Sequence, residues 1–170
     1  MTRRTLILVL ALLALTLAAC QKQAGPPPGA KPSAAPGIPL DDAARRAWEN
    51  QDWAASETYY GQLLQRGQSS PAERTLWHER LALSALRAGH ARPALDALDA
   101  WAKADPQARQ KPEWKAARAE ALGLSGDDKA AKKALDALAK DPGITQEQRL
   151  ETAENLAASA LQRGPDADAM

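Results

Sequence analysis

The stretch "LRAGHARPALDALDAWAKADP", Leu86–Pro106, carries the pattern that decides the fold. A turn-forming glycine, Gly89, is followed five residues later by the small Ala94 and four residues after that by the large apolar Leu98. The small residue lets two helices approach closely, and the apolar residue one turn further on extends the same helix face. The stretch therefore predicts one helix on each side of the turn, with the second packed back against the first.

The same order of residues recurs on both sides of this stretch. In "ENQDWAASETYYGQLLQRG" (49–67) the three places are taken by Gln51, Ser56 and Tyr60, and in "GLSGDDKAAKKALDALAKDP" (123–142) by Gly126, Ala131 and Leu135. The turn residues lie 38 and then 37 residues apart. Because one helix pair cannot bury its apolar face alone, a repeat of this length predicts helix pairs stacked on one another.

At these positions the chain resembles the tetratricopeptide-repeat family over residues 40–142. The second unit matches best, and in the third unit Arg118 stands where the family normally has an apolar residue. The first unit departs at Gln51 and Ser56, and the period exceeds the family's usual 34 residues. The resemblance implies an α-solenoid of about three helical hairpins with a C-terminal capping helix, and an ordinary helical bundle is the alternative.

Composition independently predicts an all-α domain over residues 40–164. The chain is rich in residues that lose little on entering a helix, Val9 is its only valine, and it has no phenylalanine. Thr145 and Gln148 have the spacing of a capping box. The helix that follows is predicted to turn one face towards the stack, the face that carries Leu150, Ala153, Ala157, Ala160 and Leu161. Residues 165–170 are predicted to form a frayed tail.

The chain begins with "MTRRTLILVLALLALTLAAC", in which a cationic head precedes an apolar run and two small residues. This order predicts a secretory signal peptide over residues 1–19, and the run is short for a membrane-spanning helix. Leu17-Ala18-Ala19-Cys20 resembles the lipobox of bacterial lipoproteins. The resemblance implies cleavage before Cys20, a diacylglycerol on its sulfur and an N-acyl chain on the new terminus. Gln21 stands where an inner-membrane retention signal has Asp, so the resemblance implies the periplasmic face of the outer membrane, with the inner membrane as the alternative.

Residues 20–39 comprise the lipidated cysteine and a linker, "QKQAGPPPGAKPSAAPGIP". Six of the nineteen linker residues are proline and three are glycine. The segment therefore has too few large apolar side chains to form a buried core. The segment is predicted to be a tether, with a proline-rich docking motif as the alternative.

Charge and motifs argue against several classes of function. The net charge of the whole chain is +1, and removal of Arg3 and Arg4 with the signal leaves 20 basic and 21 acidic side chains. Nucleic-acid binding would need a concentrated basic face. His78 and His90 lack the spacing of metal ligands, and no catalytic motif is present. We therefore predict no catalytic residues, no metal and no cofactor other than the covalent lipid.

In the tetratricopeptide family, variable side chains on the first helix of each pair line a concave face that holds a peptide or partner segment. The matching positions here are Arg45, Trp48, Glu49, Glu79, Leu83, Arg87, Glu120 and Leu124. The resemblance thus implies a protein or peptide partner on this face. A solvated surface role also fits each of the charged members, and both interpretations are open at this point.

These expectations combine into a lipid-anchored periplasmic scaffold or adaptor that binds a protein or peptide at the outer membrane, in envelope assembly or secretion. It is not expected to be an enzyme. One alternative is a structural lipoprotein whose helices self-associate, and another is a cell-wall ligand-binding or enzyme domain. The sequence leaves the partner and the oligomeric state open.

Overall fold

A computed structural model describes residues 37–163, which contain seven α-helices, one short 3₁₀ turn and no strand. The helices are α1 (Leu40–Glu49), α2 (Trp53–Arg66), α3 (Pro71–Arg87), α4 (Ala91–Ala104), α5 (Pro112–Leu124), α6 (Asp128–Ala139) and α7 (Gln146–Arg163), and the 3₁₀ turn is Ala108–Gln110. The all-α prediction is confirmed for this part of the chain. The signal peptide, Cys20, most of the linker and the C-terminal tail lie outside the described residues.

The three turns predicted from the repeat share one backbone geometry. Gln51, Gly89 and Gly126 all have positive φ, at 58°, 81° and 84°. The amide of each bonds to the carbonyl three residues earlier at 3.0 Å, and the next amide reaches the carbonyl five residues earlier at 2.9–3.1 Å. These bonds satisfy carbonyl groups at the end of the preceding helix. Gln51, which stands in place of the turn glycine, therefore adopts the conformation that glycine adopts in the other two turns.

Side-chain caps set the starts of several helices. The Asp52 and Asp127 side chains accept hydrogen bonds from the amides of Ala55 (3.2 Å) and Ala130 (3.0 Å) at the starts of α2 and α6. At α7 the predicted capping box is confirmed. Its two bonds run from the Thr145 amide to Gln148 Oε1 (2.9 Å) and from the Gln148 amide to Thr145 Oγ1 (3.2 Å).

Each helix packs on the next helix in the chain, and α5 also contacts both α3 and α7. The largest apolar cluster joins α3, α4 and α5, where Leu98 and Trp101 are fully buried. Trp114 of α5 donates its indole Nε1–H to the Leu98 carbonyl at 2.9 Å. The predicted packing positions Ser56, Tyr60, Ala94, Leu98 and Ala131 are all buried, and Leu135 is half-buried.

The orientation predicted for α7 is wrong. Leu150 is 60% exposed and Leu161 is 83% exposed, and Ala157 is exposed as well. The opposite face packs on α5 through Thr152 and Leu156, because Gly123 leaves room for the Leu156 side chain. A Cβ at position 123 would overlap Leu156 Cδ2. The helix has apolar residues on both faces, and this close approach selects the one that is buried.

Candidate partner-binding groove

The residues predicted to bind a partner separate into two clusters. Leu83, Arg87, Glu120 and Leu124 line a groove bounded by α3, α5 and α7. Arg45, Trp48 and Glu49 lie together on α1, which lines neither cavity of the groove. Glu79 is half-buried on α3 and lines neither cavity of the groove.

The groove contains two adjoining cavities of about 200 Å³ each. Leu86, Arg87 and Glu120 border both of them. The first cavity is completed mainly by Leu83, Glu113, Ala116, Gln148, Glu151 and Thr152, and the second by Gly89, Leu124, Asn155 and Ala158. Pockets for drug-sized ligands usually have volumes of about 300–1,000 Å³. Two cavities of this smaller size suit individual side chains better than one enclosed small molecule.

A charged group of three side chains includes Arg87 and Glu120, which border both cavities, and Glu151, which lines the first. The Arg87 guanidinium is 3.6 Å from a Glu120 carboxylate oxygen and 3.7 Å from one of Glu151. Both distances are too long for direct hydrogen bonds. One arginine thus lies near two carboxylates from two other helices without bonding closely to either.

Glu120 is the buried member of this group, with 7% of its surface exposed. Burial raises the pKa of its carboxyl above the ordinary value, while hydrogen bonding from Asn155 and the nearby positive charge of Arg87 oppose the rise. Desolvation is the largest of these effects. Burial therefore destabilises the charged form of the Glu120 carboxyl by more than Asn155 and Arg87 stabilise it.

The lining of the groove is acidic and apolar. Across both cavities the carboxylates are Glu113, Glu120 and Glu151, and Arg87 is the only basic side chain among the lining residues. Leu83 and Leu124 contribute apolar surface on either side of the charged group. The arrangement has the features of a surface that binds a side chain of positive charge between apolar neighbours.

The α1 cluster is built differently, around an aromatic side chain. Arg80 of α3 places its guanidinium carbon 3.9 Å from the centroid of the Trp48 ring, and Trp53 meets that ring edge-on with centroids 5.4 Å apart. Arg45 pairs along its own helix with Asp42 (2.8 Å) and Glu49 (3.2 Å). The Trp48 face is therefore occupied by Arg80, and the predicted charges of α1 bond to each other.

Arg118, the departure from the family pattern, has partners of its own. Its Nη1 lies 3.0 Å from Asp99 of α4, and its guanidinium lies 5.3 Å from the centroid of the Trp114 ring. Beside it, a cavity of about 300 Å³ between α5 and α6 is lined by Trp114, Leu138 and the Lys115–Asp141 ion pair. The hydrogen bond from Lys115 is the main reason that the pKa of Asp141 is lowered.

The two histidines, His78 within α3 and His90 in the turn that follows it, have different surroundings. The His90 ring bonds through Nδ1 to Glu57 at 2.7 Å. His78 is half-buried, and burial lowers the pKa of its imidazole. Within residues 37–163, no three His, Cys, Asp or Glu side chains come together as metal ligands would.

Sequence reasoning missed the α7 wall of the groove, which supplies Gln148, Glu151 and Asn155. The reason is the wrong orientation predicted for α7. That orientation buries the face with Leu150 and Leu161 and leaves the groove-lining face exposed to solvent. Arg80 was also missed, because its contact with Trp48 joins residues 32 positions apart. No local signal in the sequence identifies either contact.

Among the helices of residues 37–163, none has the length and apolar content needed to cross a membrane. Compared with protein-family models, with curated proteins and with solved structures, the chain has no match in any of the three.

Proposed function

We propose that the protein is a lipid-anchored periplasmic scaffold that holds a segment of a partner protein in the groove between α3, α5 and α7. The groove itself carries this proposal. Four of the eight side chains predicted to contact a partner lie in it, and its two small cavities suit successive side chains of a bound segment. The role is binding, with no chemistry performed on the partner.

We also propose that the helices form a tetratricopeptide-like solenoid of three hairpins, α1–α2, α3–α4 and α5–α6, capped by α7. Two observations support this proposal. The three turns have similar backbone geometry, and α5 contacts α3 and α7, which are the second helix before it and the second helix after it in the chain. In such a stack the first helices of the pairs lie side by side, which places a groove along them.

The anchor is proposed from the lipobox resemblance. Diacylglycerol and an N-acyl group on Cys20 together supply three acyl chains, which hold the protein stably in one leaflet because each buried methylene contributes about 0.8 kcal/mol. We expect Cys20→Ser to abolish incorporation of labelled palmitate and Gln23→Ser to leave it unchanged. We further expect Gln21→Asp to shift the lipidated protein to the inner-membrane fraction. Palmitate labelling of the Cys20→Ser protein would refute the anchor.

The scaffold role is tested by photo-crosslinking in intact cells. A photoreactive amino acid replaces Ala116 or Leu124 inside the groove, and Lys133, an exposed residue of α6, serves as the control position. We expect one discrete adduct with another protein from each groove position and none from position 133. Mass spectrometry then identifies the crosslinked segment of the partner.

Two outcomes would contradict the scaffold role. Adducts of the same size from all three positions would mean that the groove is not the binding face. Adducts that join two copies of this chain through the groove would favour the self-associating structural lipoprotein.

A further inference from the structure

We propose that the groove selects a segment whose central side chain is a lysine or arginine flanked by small or apolar residues. The inference rests on the proposed scaffold function and names the chemistry of its partner. It comes from Arg87 and Glu120, which border both cavities, from Glu151 beside them in the first cavity, and from the apolar walls on either side.

The groove carries more negative than positive charge beside Arg87. Two carboxylates face one guanidinium, and Glu113 adds a third negative charge to the lining. Because Glu120 is 7% exposed, water can solvate little of its charge. A cation that enters the groove would form the close contacts to Glu120 and Glu151 that Arg87, at 3.6 and 3.7 Å, does not form.

An acidic segment would meet the opposite situation. Its carboxylate would lie near three others, with Arg87 already shared between two of them. Like charges placed together cost several kcal/mol at an interface. Electrostatics thus favours a basic partner and disfavours an acidic one.

The flanking positions are set by the apolar lining. Leu83 and Ala116 lie in one cavity and Leu124 and Ala158 in the other, with Arg87 and Glu120 bordering both. A segment that crosses both cavities therefore places apolar or small side chains on each side of its basic one.

The test uses the full lipidated chain in detergent micelles and three acetylated, amidated, fluorescent peptides. Their sequences are Ala-Leu-Ala-Lys-Ala-Leu-Ala and the same peptide with Gln or Glu in place of Lys. We expect the Lys peptide to bind at least about tenfold more tightly than either of the others by fluorescence anisotropy, since a hydrogen bond to a charged group contributes this much. The preference should shrink as salt is added.

Variants of the chain separate a binding role from a structural one. Glu151→Gln changes a side chain that is 61% exposed, so the fold should persist, yet the preference for Lys should fall several-fold. Glu154→Gln, an exposed residue of the same helix outside both cavities, is the matched control and should change nothing. Arg87→Gln should strengthen binding of the Lys peptide, because Arg87 competes for the same carboxylates, whereas damage to the fold would weaken it.

Several results would overturn the inference, and the first three come from the peptides and the single variants. They are equal or tighter binding of the Glu peptide, an unchanged preference in Glu151→Gln, and no binding of the Lys peptide at about 1 mM, the weak end of measurable affinity. Tighter binding by the double variant Lys22→Gln and Lys31→Gln would mean that the chain's own linker occupies the groove, and would overturn assignment to a partner. If a crosslinked partner segment proves acidic or neutral, the scaffold function stands and this inference fails.

Discussion

The hydrogen bond between Ser56 and Ser84 gives a sharp test of how α2 packs on α3. Both side chains are fully buried, and their hydroxyl oxygens are 2.7 Å apart. Ser56 occupies the small-residue position that alanine fills in the other two units, so at this position the first unit has one additional hydroxyl group. Removing one hydroxyl leaves the other buried without its partner, whereas removing both leaves two methyl groups in contact.

The expected magnitudes follow from this asymmetry. An orphaned buried hydroxyl costs about 1–3 kcal/mol, and each Ser→Ala change in a helix returns about 0.5 kcal/mol of helix propensity. Ser56→Ala and Ser84→Ala should therefore each lower the free energy of unfolding by about 0.5–2.5 kcal/mol. The double variant loses a bond of net value about 0.5–1.5 kcal/mol and gains about 1 kcal/mol of propensity, so it should lie within about 0.5 kcal/mol of the wild type.

The assay is urea unfolding followed by far-UV circular dichroism, with the full chain in the same detergent for all four proteins. The coupling energy of the double-mutant cycle is the deciding quantity. Additive destabilisation, in which the double variant is as unstable as the sum of the singles predicts, would refute the argument. It would mean that the two hydroxyls do not depend on each other and that the helices meet elsewhere.

Three further predictions use the same measurement. Leu98→Ala should lower the free energy of unfolding by about 2–5 kcal/mol because Leu98 is fully buried, and a loss below about 1 kcal/mol would contradict the core described above. Gln51→Gly should stabilise the chain by up to about 1 kcal/mol, because glycine adopts the positive φ of 58° without strain. Gly89→Gln should destabilise the chain, and stabilisation by this variant would contradict the proposed equivalence of the two turns. Since burial raises the pKa of Glu120 above 4.5, the folded chain binds that proton more tightly than the unfolded chain, and the associated stability is lost as pH rises through the folded pKa. Glu120→Gln should therefore gain stability relative to the wild type between pH 4.5 and neutrality, and a difference that stays constant with pH would be evidence against a desolvated carboxylate.

The parts of the fold that depend on near neighbours could be predicted from the sequence. The turns at Gly89 and Gly126 and the capping box of Thr145 are settled by interactions within about five residues, which the sequence displays directly. The buried positions of the second helices followed from their spacing to the turn. Even the irregular Gln51 was placed correctly by the repeat.

The orientation of α7 could not be predicted in the same way. Leu150 and Leu161 lie on one face and Leu156 on the other, so periodicity alone favours neither. The choice depends on the fit of Leu156 against Gly123, a contact between residues 33 positions apart. Half of the predicted partner face, from Leu83 to Leu124, was found in one groove, but its third wall was missed for this reason.

Gly123 consequently links the packing of the domain to the chemistry of the groove. A Cβ at position 123 would overlap Leu156 Cδ2, so either the Leu156 side chain turns aside or α7 moves away from α5. Glu151 lies on the same helix, so a movement of α7 away from α3 and α5 would lengthen its 3.7 Å separation from Arg87 and expose Glu120 to water. The proposed preference for a basic partner rests on this buried carboxylate, and its burial depends on α7 staying close. The selectivity proposed for the groove therefore depends on how tightly the last helix packs, as well as on the charges that line it.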